Sequence, residues 1–368
     1  MEHKVIDCSL KSILNVAIPM VLSSMSSNLM YAIDRFILAG YSINAVNAAV
    51  MASTFVMIFT FMFIGISDVA EIFVGQYNGS KQRDKLAAPS WQMIYLSVAS
   101  SIIFLPIAYF SDYINAFPSS YLHDGVLYQK ILMYFGMLPA FKAALSAFFI
   151  GQGKTKIITI SVIIGFLTNV ILDYTLIYGV ENIIRPMGCL GAAVATIIAE
   201  VLQIAVLATT FFGENNRKTY GTLRNYRFDK KLFLNCVKIG APMAFSNCVS
   251  LLAWFIVQTI VSHVSDTAAT IYNVGIILYV FFIFVGEGIN KAIATICANM
   301  IGSGDLQSIE KTRKIFVMMA LLFGGVIAVP LILYPQCILH MLDTRSHCLL
   351  NLYSEIKIVL YLVAISVV

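Results

Sequence analysis

The chain has 368 residues, of which 59% are hydrophobic and 12% charged, with a mean hydropathy of +0.85 and a net charge of +5. Soluble domains carry about 25% charged residues, so this composition excludes a soluble fold. The apolar runs reach the roughly 20 residues that cross a bilayer as a helix, and they lack the alternation of a membrane β-barrel. We therefore expect an all-α, multi-pass integral membrane protein.

Ten apolar runs predict ten transmembrane helices. The predicted spans are 13–38, 44–66, 89–111, 127–150, 157–179, 189–212, 233–261, 268–290, 314–334 and 351–368. The first run is too long for a cleavable signal peptide, and further spans follow it.

Lysine and arginine are concentrated in every second loop. The basic segments hold Lys4, Lys11, Lys81, Arg83, Lys85, Lys154, Lys156, Arg217, Lys218, Arg224, Arg227, Lys230, Lys231, Lys311, Arg313 and Lys314. The alternate loops hold Lys130, Arg185 and Arg345. By the positive-inside rule, the N-terminus is expected to be cytoplasmic in a plasma or bacterial inner membrane. Because the basic residues are spread over separate loops, they do not indicate nucleic-acid binding.

The first two spans recur in the second half of the chain. Ala17–Ser80 aligns without a gap to Gly240–Ser303. Matched positions are Pro19 and Pro242, Ser23 and Ser246, Ser27 and Ser250, Ser42 and Ser265, Gly65 and Gly288, and Gly79 and Gly302. Internal repeats in a hydrophobic chain are typical of transporters.

The polar segment Gly213–Asp229 is the stretch of linker length between the sixth and seventh spans. We predict an N-lobe at residues 1–213 with helices 1–6, a cytoplasmic linker at 214–230, and a C-lobe at 231–368 with helices 7–10. The second copy of the repeat reaches residue 368 while the first is only in its fourth helix. The fold is therefore expected to be two pseudo-symmetric helical lobes, the second of them incomplete.

Four polar side chains are candidates for a cation or proton site, because such groups are costly inside hydrocarbon. Asp34 lies in the outer part of span one, and Asp173 lies about 24 Å along span five at 1.5 Å per residue. Asn169 precedes Asp173 by four residues and shares its helix face. Thr196, about 10 Å into span six, is expected at the same level. Their oxygens suit Na⁺, and a carboxylate beside another carboxylate can hold a proton.

Simpler roles stay open for these residues. Asp34 could pair locally with Arg35, although adjacent helix residues do not face each other. Asp173 could be exposed at a ragged helix end, while Asn169 and Thr196 could serve only as helix contacts.

Pro19 removes a backbone hydrogen bond from span one, so it is either a hinge or a static bend. Glu200, deeper in span six, is either a second titrating group or a buried hydrogen-bonding group.

Ionisable residues also lie near the cytoplasmic ends of spans two and eight. Glu287 and Lys291 have the i,i+4 spacing of a helical ion pair, which predicts a structural role. Asp68 and Glu71 are expected to reach cytoplasmic water.

The cysteines do not suggest a disulfide framework or a metal site. They are Cys8, Cys189, Cys236, Cys248, Cys297, Cys337 and Cys348, an odd number without a C-x-x-C pair. The sequence also lacks a His/Glu metal motif and a nucleophile with a base. We expect no enzymatic activity and no cofactor, apart from a coupling ion.

Several motifs, in this order and spacing, resemble the multidrug and toxic compound extrusion (MATE) family of bacterial transporters. They are A-I-P-M at 17–20, G-Q-Y-N-G at 75–79, G-Q-G-K-T-K at 151–156, T-N-V-I-L-D-Y at 168–174, M-G-C-L-G-A-A-V-A-T at 187–196 and K-I-G-A-P at 238–242. The resemblance covers essentially the whole chain. It implies two six-helix lobes that face a central cavity and open alternately to either side. The chain resembles a C-terminally truncated member, with helices eleven and twelve absent.

The resemblance implies an antiporter that exports organic cations or drugs in exchange for Na⁺ or H⁺. In family members an acid on helix one and an Asn/Asp pair on helix five form the ion site. Those roles would fall on Asp34, Asn169 and Asp173, with Thr196 on helix six. Many bacterial members also carry an acid on helix seven, where this chain has Ser250. The expected partners are the bilayer, small organic cations or drugs, and the coupling ion, and the protein is expected to be monomeric.

Two alternatives remain from the sequence. A lipid-linked oligosaccharide flippase of the same superfamily would line its cavity with several cations, whereas the spans offer chiefly Arg35, Lys142 and Lys291. The other alternative is a non-transporting remnant membrane protein.

Overall fold

The computed structural model describes residues 10–335 and 353–367, which are almost entirely helical. The helices are α1 (Leu10–Tyr41), α2 (Ile43–Gly79), α3 (Ala88–Ala99), α4 (Ser101–Tyr109), α5 (Leu122–Tyr134), α6 (Leu138–Ile150), α7 (Thr155–Ile177), α8 (Cys189–Phe211), α9 (Glu214–Tyr220), α10 (Lys230–Val264), α11 (Asp266–Phe282), α12 (Phe284–Ser303), α13 (Gln307–Leu333) and α14 (Tyr353–Val367). The all-α membrane architecture is confirmed.

Eight helical segments within the described ranges are long and apolar enough to cross a membrane, and the bent pair α5–α6 makes up to nine. The tenth predicted span corresponds to α14, which has 15 residues. The start of that span, at 351 and 352, lies outside the described residues. α14 packs against α11 and α13 through Leu360, Val363 and Ala364.

Two predicted spans each consist of two helical segments, and one of the two is sharply bent. The span at 127–150 consists of α5 and α6, which meet at an angle of 42°. Pro139 lies in the first turn of α6, where proline is tolerated because the missing N–H has no helical partner. The span at 89–111 is divided into α3 and α4 at Ser100. Hydropathy predicts these spans but not the breaks within them.

The second span is longer than predicted. α2 continues beyond residue 66 to Gly79. The extension includes Asp68 and Glu71, whose polarity ends the hydropathy signal, yet Val69, Ala70 and Val74 beside them are buried. Because the surrounding helices cover this end, α2 remains helical across it.

The sequence repeat is also a structural repeat. α1 corresponds to α10, and α2 corresponds to the α11–α12 pair. Ser42 caps α2 by accepting a hydrogen bond from Ala45 N at 3.4 Å, and Ser265 caps α11 by accepting one from Ala268 N at 3.0 Å. The same capping device therefore starts both copies.

The two copies meet through contacts at the repeat offset of 223 residues. Asn47 Nδ2 donates to Thr270 Oγ1 at 3.3 Å, and a Cβ built on Gly75 would lie 2.7 Å from the Ala298 Cβ. In each pair the two residues occupy equivalent positions in the repeat. Such self-pairing is the signature of a two-fold relation, so α2 and α11–α12 lie along a pseudo-two-fold axis.

Reciprocal glycine contacts lie at one end of this axis. A Cβ on Gly79 would overlap the carbonyl oxygen of Asn299, and a Cβ on Gly302 would overlap that of Gln76. Since Gly302 and Asn299 are the repeat partners of Gly79 and Gln76, the same contact is made twice. Glycine at both positions allows the two helix ends to touch backbone to backbone.

The segment at 214–230, between the two halves of the chain, is hydrogen-bonded to α3 in the first half. Trp91 Nε1 donates to the Thr222 carbonyl at 2.7 Å, and Gln92 Nε2 donates to the Arg227 carbonyl at 3.1 Å. The segment also contains the short helix α9. The segment at 214–230 is thus held against α3 by these two hydrogen bonds.

Candidate functional site

One face of α7 carries mainly small or polar side chains, and the opposite face carries large apolar side chains. Ser161, Gly165, Asn169, Asp173 and Ile177 recur every four residues and are buried. The exposed side chains of the same helix are large and apolar: Ile160, Ile163, Leu167, Ile171 and Tyr174. In a membrane, a helix with this pattern directs its polar groups into the protein and its large apolar side chains toward lipid. Asn169 and Asp173 are therefore both fully buried, and Asp173 is not exposed at a helix end.

Asp34 and Arg35 form a buried ion pair on α1. Arg35 Nη1 donates to Asp34 Oδ2, and the side chains are 2% and 5% exposed respectively. The guanidinium also donates to Ser53 Oγ at 2.6 Å and to Tyr128 OH at 3.2 Å. It lies 4.6 Å from the centre of the Tyr31 ring, within cation–π range.

The local pairing of Asp34 with Arg35, which the sequence left open, is present although the two residues are adjacent on a helix. The long arginine side chain folds back onto its neighbour, while α2 and α5 hold its other donors. The local pair is thus real, but it is buried and does not lie on the outer surface. Arg35 is the main member of this site that sequence reasoning undervalued, and Ser53 and Tyr128 were missed. The signal available was three polar side chains within apolar spans.

A cavity of about 200 Å³ adjoins this ion pair. Its lining residues all come from the part of the chain before Val201, on α1, α2 and α5–α8. Asp34, Asn169, Thr196 and Glu200 contribute to it, together with aromatic and aliphatic side chains. Asp173 is one turn beyond Asn169 and is not part of the lining, yet the charges of Asp34 and Arg35 act on it. The structure therefore brings Asp34, Asn169 and Thr196 to one cavity, with Asp173 behind it.

Several polar atoms at this site have no hydrogen-bond partner among the described residues. They are Asp34 Oδ1, Arg35 Nε, Asn169 Oδ1, Asn169 Nδ2, Asp173 Oδ1 and Asp173 Oδ2. Buried polar atoms are nearly always hydrogen-bonded, so such a concentration calls for a ligand, a proton or ordered water. Four of these atoms are oxygens, which match the preference of hard cations.

Thr196 and Glu200, both on α8, differ in whether their side-chain oxygens are already paired with a charged group. Thr196 Oγ1 donates to the Ala192 carbonyl of its own helix at 3.0 Å, which leaves its lone pairs free to face the cavity. Glu200 Oε1 is 2.9 Å from Lys142 Nζ on α6. Glu200 is thus an ion-pair partner at the edge of the cavity.

The backbone around Pro19 is supported from α7. Because Pro19 has no N–H, the Asn15 carbonyl loses its helical donor. Thr155 Oγ1 approaches that carbonyl to 3.5 Å, and Thr159 Oγ1 donates to the Pro19 carbonyl at 3.0 Å. α1 nevertheless runs as one helix through this point.

Two expectations for the other ionisable residues are wrong. Lys291 pairs with Asp68 of α2 at 3.5 Å, while Glu287 accepts a hydrogen bond from Asn28 at 3.3 Å, so the predicted Glu287–Lys291 pair is replaced by contacts between helices. Glu71 is 4% exposed and does not reach water. The longer α2 and its contact with α12 cover Glu71, whereas the Asp68 and Lys291 side chains stay partly exposed.

Four of the cysteines fall in the described ranges. Cys189, Cys236, Cys248 and Cys297 are free thiols. Cys8, Cys337 and Cys348 lie outside the described residues.

Comparison with known proteins gives the family. The sequence model of the MatE family matches residues 19–175 and 242–368, which is well over half of the chain. This chain belongs to the MATE transporter family. The predicted resemblance is confirmed, and the two matched segments each begin at a proline of the internal repeat.

Relatives and solved structures agree with this family. The probable multidrug resistance protein YoeA of Bacillus subtilis is 23% identical over 364 residues, covering 94% of this chain and 76% of that protein. The probable multidrug resistance protein NorM of Thermotoga maritima is 22% identical and covers 89% of this chain and 70% of that protein.

Among solved structures, an outward-facing multidrug resistance MATE transporter superposes with a TM-score of 0.81 at 15% identity, covering 96% of this chain and 78% of that one. A transporter of the same superfamily from Pyrococcus furiosus gives 0.79 at 16% identity, covering 95% and 79%. The two-lobed MATE fold is thereby shown.

Proposed function

We propose that this MATE family member is a secondary antiporter that exports organic cations or drugs in exchange for H⁺ or Na⁺. The observation that carries the proposal is the set of buried atoms on Asp34, Asn169 and Asp173 that have no hydrogen-bond partner among residues 10–335 and 353–367. Multidrug resistance appears in the names of its relatives and supports the substrate class. We further propose an N-lobe at 1–213, a linker at 214–230 and a C-lobe from 231, with the N-terminus in the cytoplasm.

The charges of Asp34, Arg35 and Asp173 indicate how binding of one H⁺ or Na⁺ would change the net charge of the site. Asp34 and Asp173 contribute two negative charges, and Arg35 contributes one positive charge. One proton on Asp173, or one Na⁺ held by the oxygens of Asp173, Asn169 and Asp34, would neutralise the group. Because an uncompensated buried charge is costly, the neutral and charged forms favour different surroundings. Rearrangement of α1 about Pro19 would let the cavity respond to this change.

Paired cations argue against the flippase alternative. Arg35 pairs with Asp34, Lys142 with Glu200 and Lys291 with Asp68. Each of these three cations is thus already neutralised by a carboxylate. An organic cation suits such a cavity better than a polyanionic headgroup.

The proposal is tested with Asp173→Asn in everted membrane vesicles of a bacterial host without endogenous drug exporters. Ethidium serves as the fluorescent organic cation, and separate H⁺ and Na⁺ gradients are imposed. We expect ion-driven ethidium transport to fall at least about tenfold, since a carboxamide cannot exchange a proton and binds a cation weakly. The matched control is Asp84→Asn, at an exposed position outside the spans. Equal transport by Asp173→Asn and wild type would refute the proposal.

A further inference from the structure

A second group of ionisable side chains lies between α2 and α12, apart from the cavity. Lys291 Nζ is 3.5 Å from Asp68 Oδ2. Glu71 follows Asp68 by one turn of α2 and faces the same pair, because residues three apart share a helix face. Glu287 precedes Lys291 by one turn of α12. None of these four residues lines the cavity at Asp34.

Glu71 is the member of this group that lacks compensation. Asp68 is paired with Lys291, and Glu287 accepts a hydrogen bond from Asn28 at 3.3 Å. Glu71 is 4% exposed, and its Oε2 is buried with no hydrogen-bond partner in the described part of the chain. The charges of both Asp68 and Lys291 act on it. With all four residues ionised, negative charges would outnumber positive ones three to one.

Several other charged groups on helices around α2 are paired or exposed. On α6, Lys142 is paired with Glu200, and on α5, Lys130 is paired with Asp112. On α10, Lys238 is exposed. On α1, Arg35 is held by Asp34. The charge state of Glu71 is therefore decided by its burial and by the neighbouring charges of Asp68 and Lys291.

We propose that Glu71 is a second proton-binding site of this protein, located at the contact between the two copies of the repeat. A carboxylate in this position would be buried beside the like charge of Asp68, whereas the carboxylic acid is neutral and can remain there. The proton is the ligand that removes the imbalance without needing additional space.

The position of this site gives it a structural consequence. Asp68 and Lys291 are repeat partners, and one to two turns further along the same helices Gly75 meets Ala298. A neutral Glu71 is compatible with this close contact, and a charged Glu71 would weaken it. This inference is independent of the proposed transport reaction, since it concerns other residues and a different readout.

The test is a pH titration of the purified full chain by infrared spectroscopy, following the carbonyl band of protonated carboxylic acids. Glu71→Gln should lose the intensity of about one carboxylic acid per chain relative to wild type in the neutral pH range. Glu214→Gln is the matched control, because Glu214 is an exposed partner of Lys218 and the chemical change is the same. Asp173→Asn, measured in parallel, separates the contribution of the first site.

A second variant, Asp68→Asn, tests the proposal if Glu71→Gln does not fold. It retains Glu71 and removes the adjacent negative charge, so the carbonyl band should disappear at a lower pH than in wild type. The proposal is overturned if Glu71→Gln and wild type have identical bands at all pH values, or if Asp68→Asn leaves the titration unchanged. In the Asp173→Asn background, a Glu71-dependent band that responds to added Na⁺ at constant pH would also overturn it, in favour of a cation site.

Discussion

At the residue scale, Arg35 determines the charge balance of the candidate site. It is 2% exposed and is held by Asp34, Ser53 and Tyr128 from three helices. A buried guanidinium needs several acceptors because it carries five N–H donors in a fixed geometry. The same contacts orient Asp34 and leave its Oδ1 atom without a hydrogen-bond partner in the part of the chain that the structure describes. Arg35 is therefore a positioning residue for the candidate ion site.

The Arg35→Ala substitution tests this positioning role. Arg35→Ala leaves the Asp34 carboxylate buried and unpaired, so we expect a loss of about 3–5 kcal/mol in the free energy of unfolding. Thermal unfolding of the purified protein in detergent measures the effect, with the exposed Arg83→Ala as control. In a double-mutant cycle with Asp34→Ala, the combined loss should be clearly smaller than the sum. Additive losses would mean that the two side chains are energetically independent.

At the element scale, the proposed mechanism depends on α1 and on its contacts with α7. α1 carries Asp34 and Pro19, and α7 carries Asn169, Asp173 and the two threonines that face the Pro19 region. The Thr155 hydroxyl approaches the Asn15 carbonyl, whose backbone donor proline removes, and the Thr159 hydroxyl donates to the Pro19 carbonyl. These side-chain hydrogen bonds can break and reform more easily than a helical backbone bond, which suits a bend that changes during transport.

Pro19→Ala tests whether this bend matters. Alanine restores the missing N–H, so α1 should become straighter and stiffer around residue 19. We expect a several-fold slower ethidium transport with unchanged ethidium affinity, measured by vesicle transport and by fluorescence titration of the purified protein. Pro106→Ala is the matched control, because Pro106 also lies inside a helix, α4, but is exposed. Equal transport rates for Pro19→Ala and Pro106→Ala would exclude a role for the proline as a hinge.

At the scale of the whole molecule, the internal repeat joins the two halves through equivalent residues. The serine caps, the prolines and the paired glycines could be matched from sequence because they have local requirements. The direct meeting of Asn47 with Thr270 could not, since a sequence offset does not show where a pseudo-two-fold axis runs. For the same reason, the partners of Lys291 and the burial of Glu71 were mispredicted. Asn169 and Asp173 were predictable as one inward face from their spacing, whereas the Arg35 contacts depended on the approach of α2 and α5.

A disulfide across the axis tests whether the halves separate during transport. Gly75→Cys combined with Ala298→Cys, in a background without the native cysteines, places two sulfurs at the contact of α2 with α12. The Cβ positions are close enough for a disulfide after a small adjustment. Oxidation should abolish ethidium transport almost completely, and a reductant should restore it. The single-cysteine variants serve as controls. Full transport by the cross-linked protein would show that this contact stays closed throughout the cycle.

The most direct test of the account is the movement of the coupling ion itself. Purified protein is reconstituted into liposomes, and the H⁺ or radioactive Na⁺ that crosses the membrane in response to an ethidium gradient is measured. The charge balance of Asp34, Arg35 and Asp173 predicts that about one monovalent cation moves opposite to each ethidium and that Asp173→Asn abolishes this movement. Ethidium transport without movement of either ion, or an equal ion movement in Asp173→Asn, would contradict it.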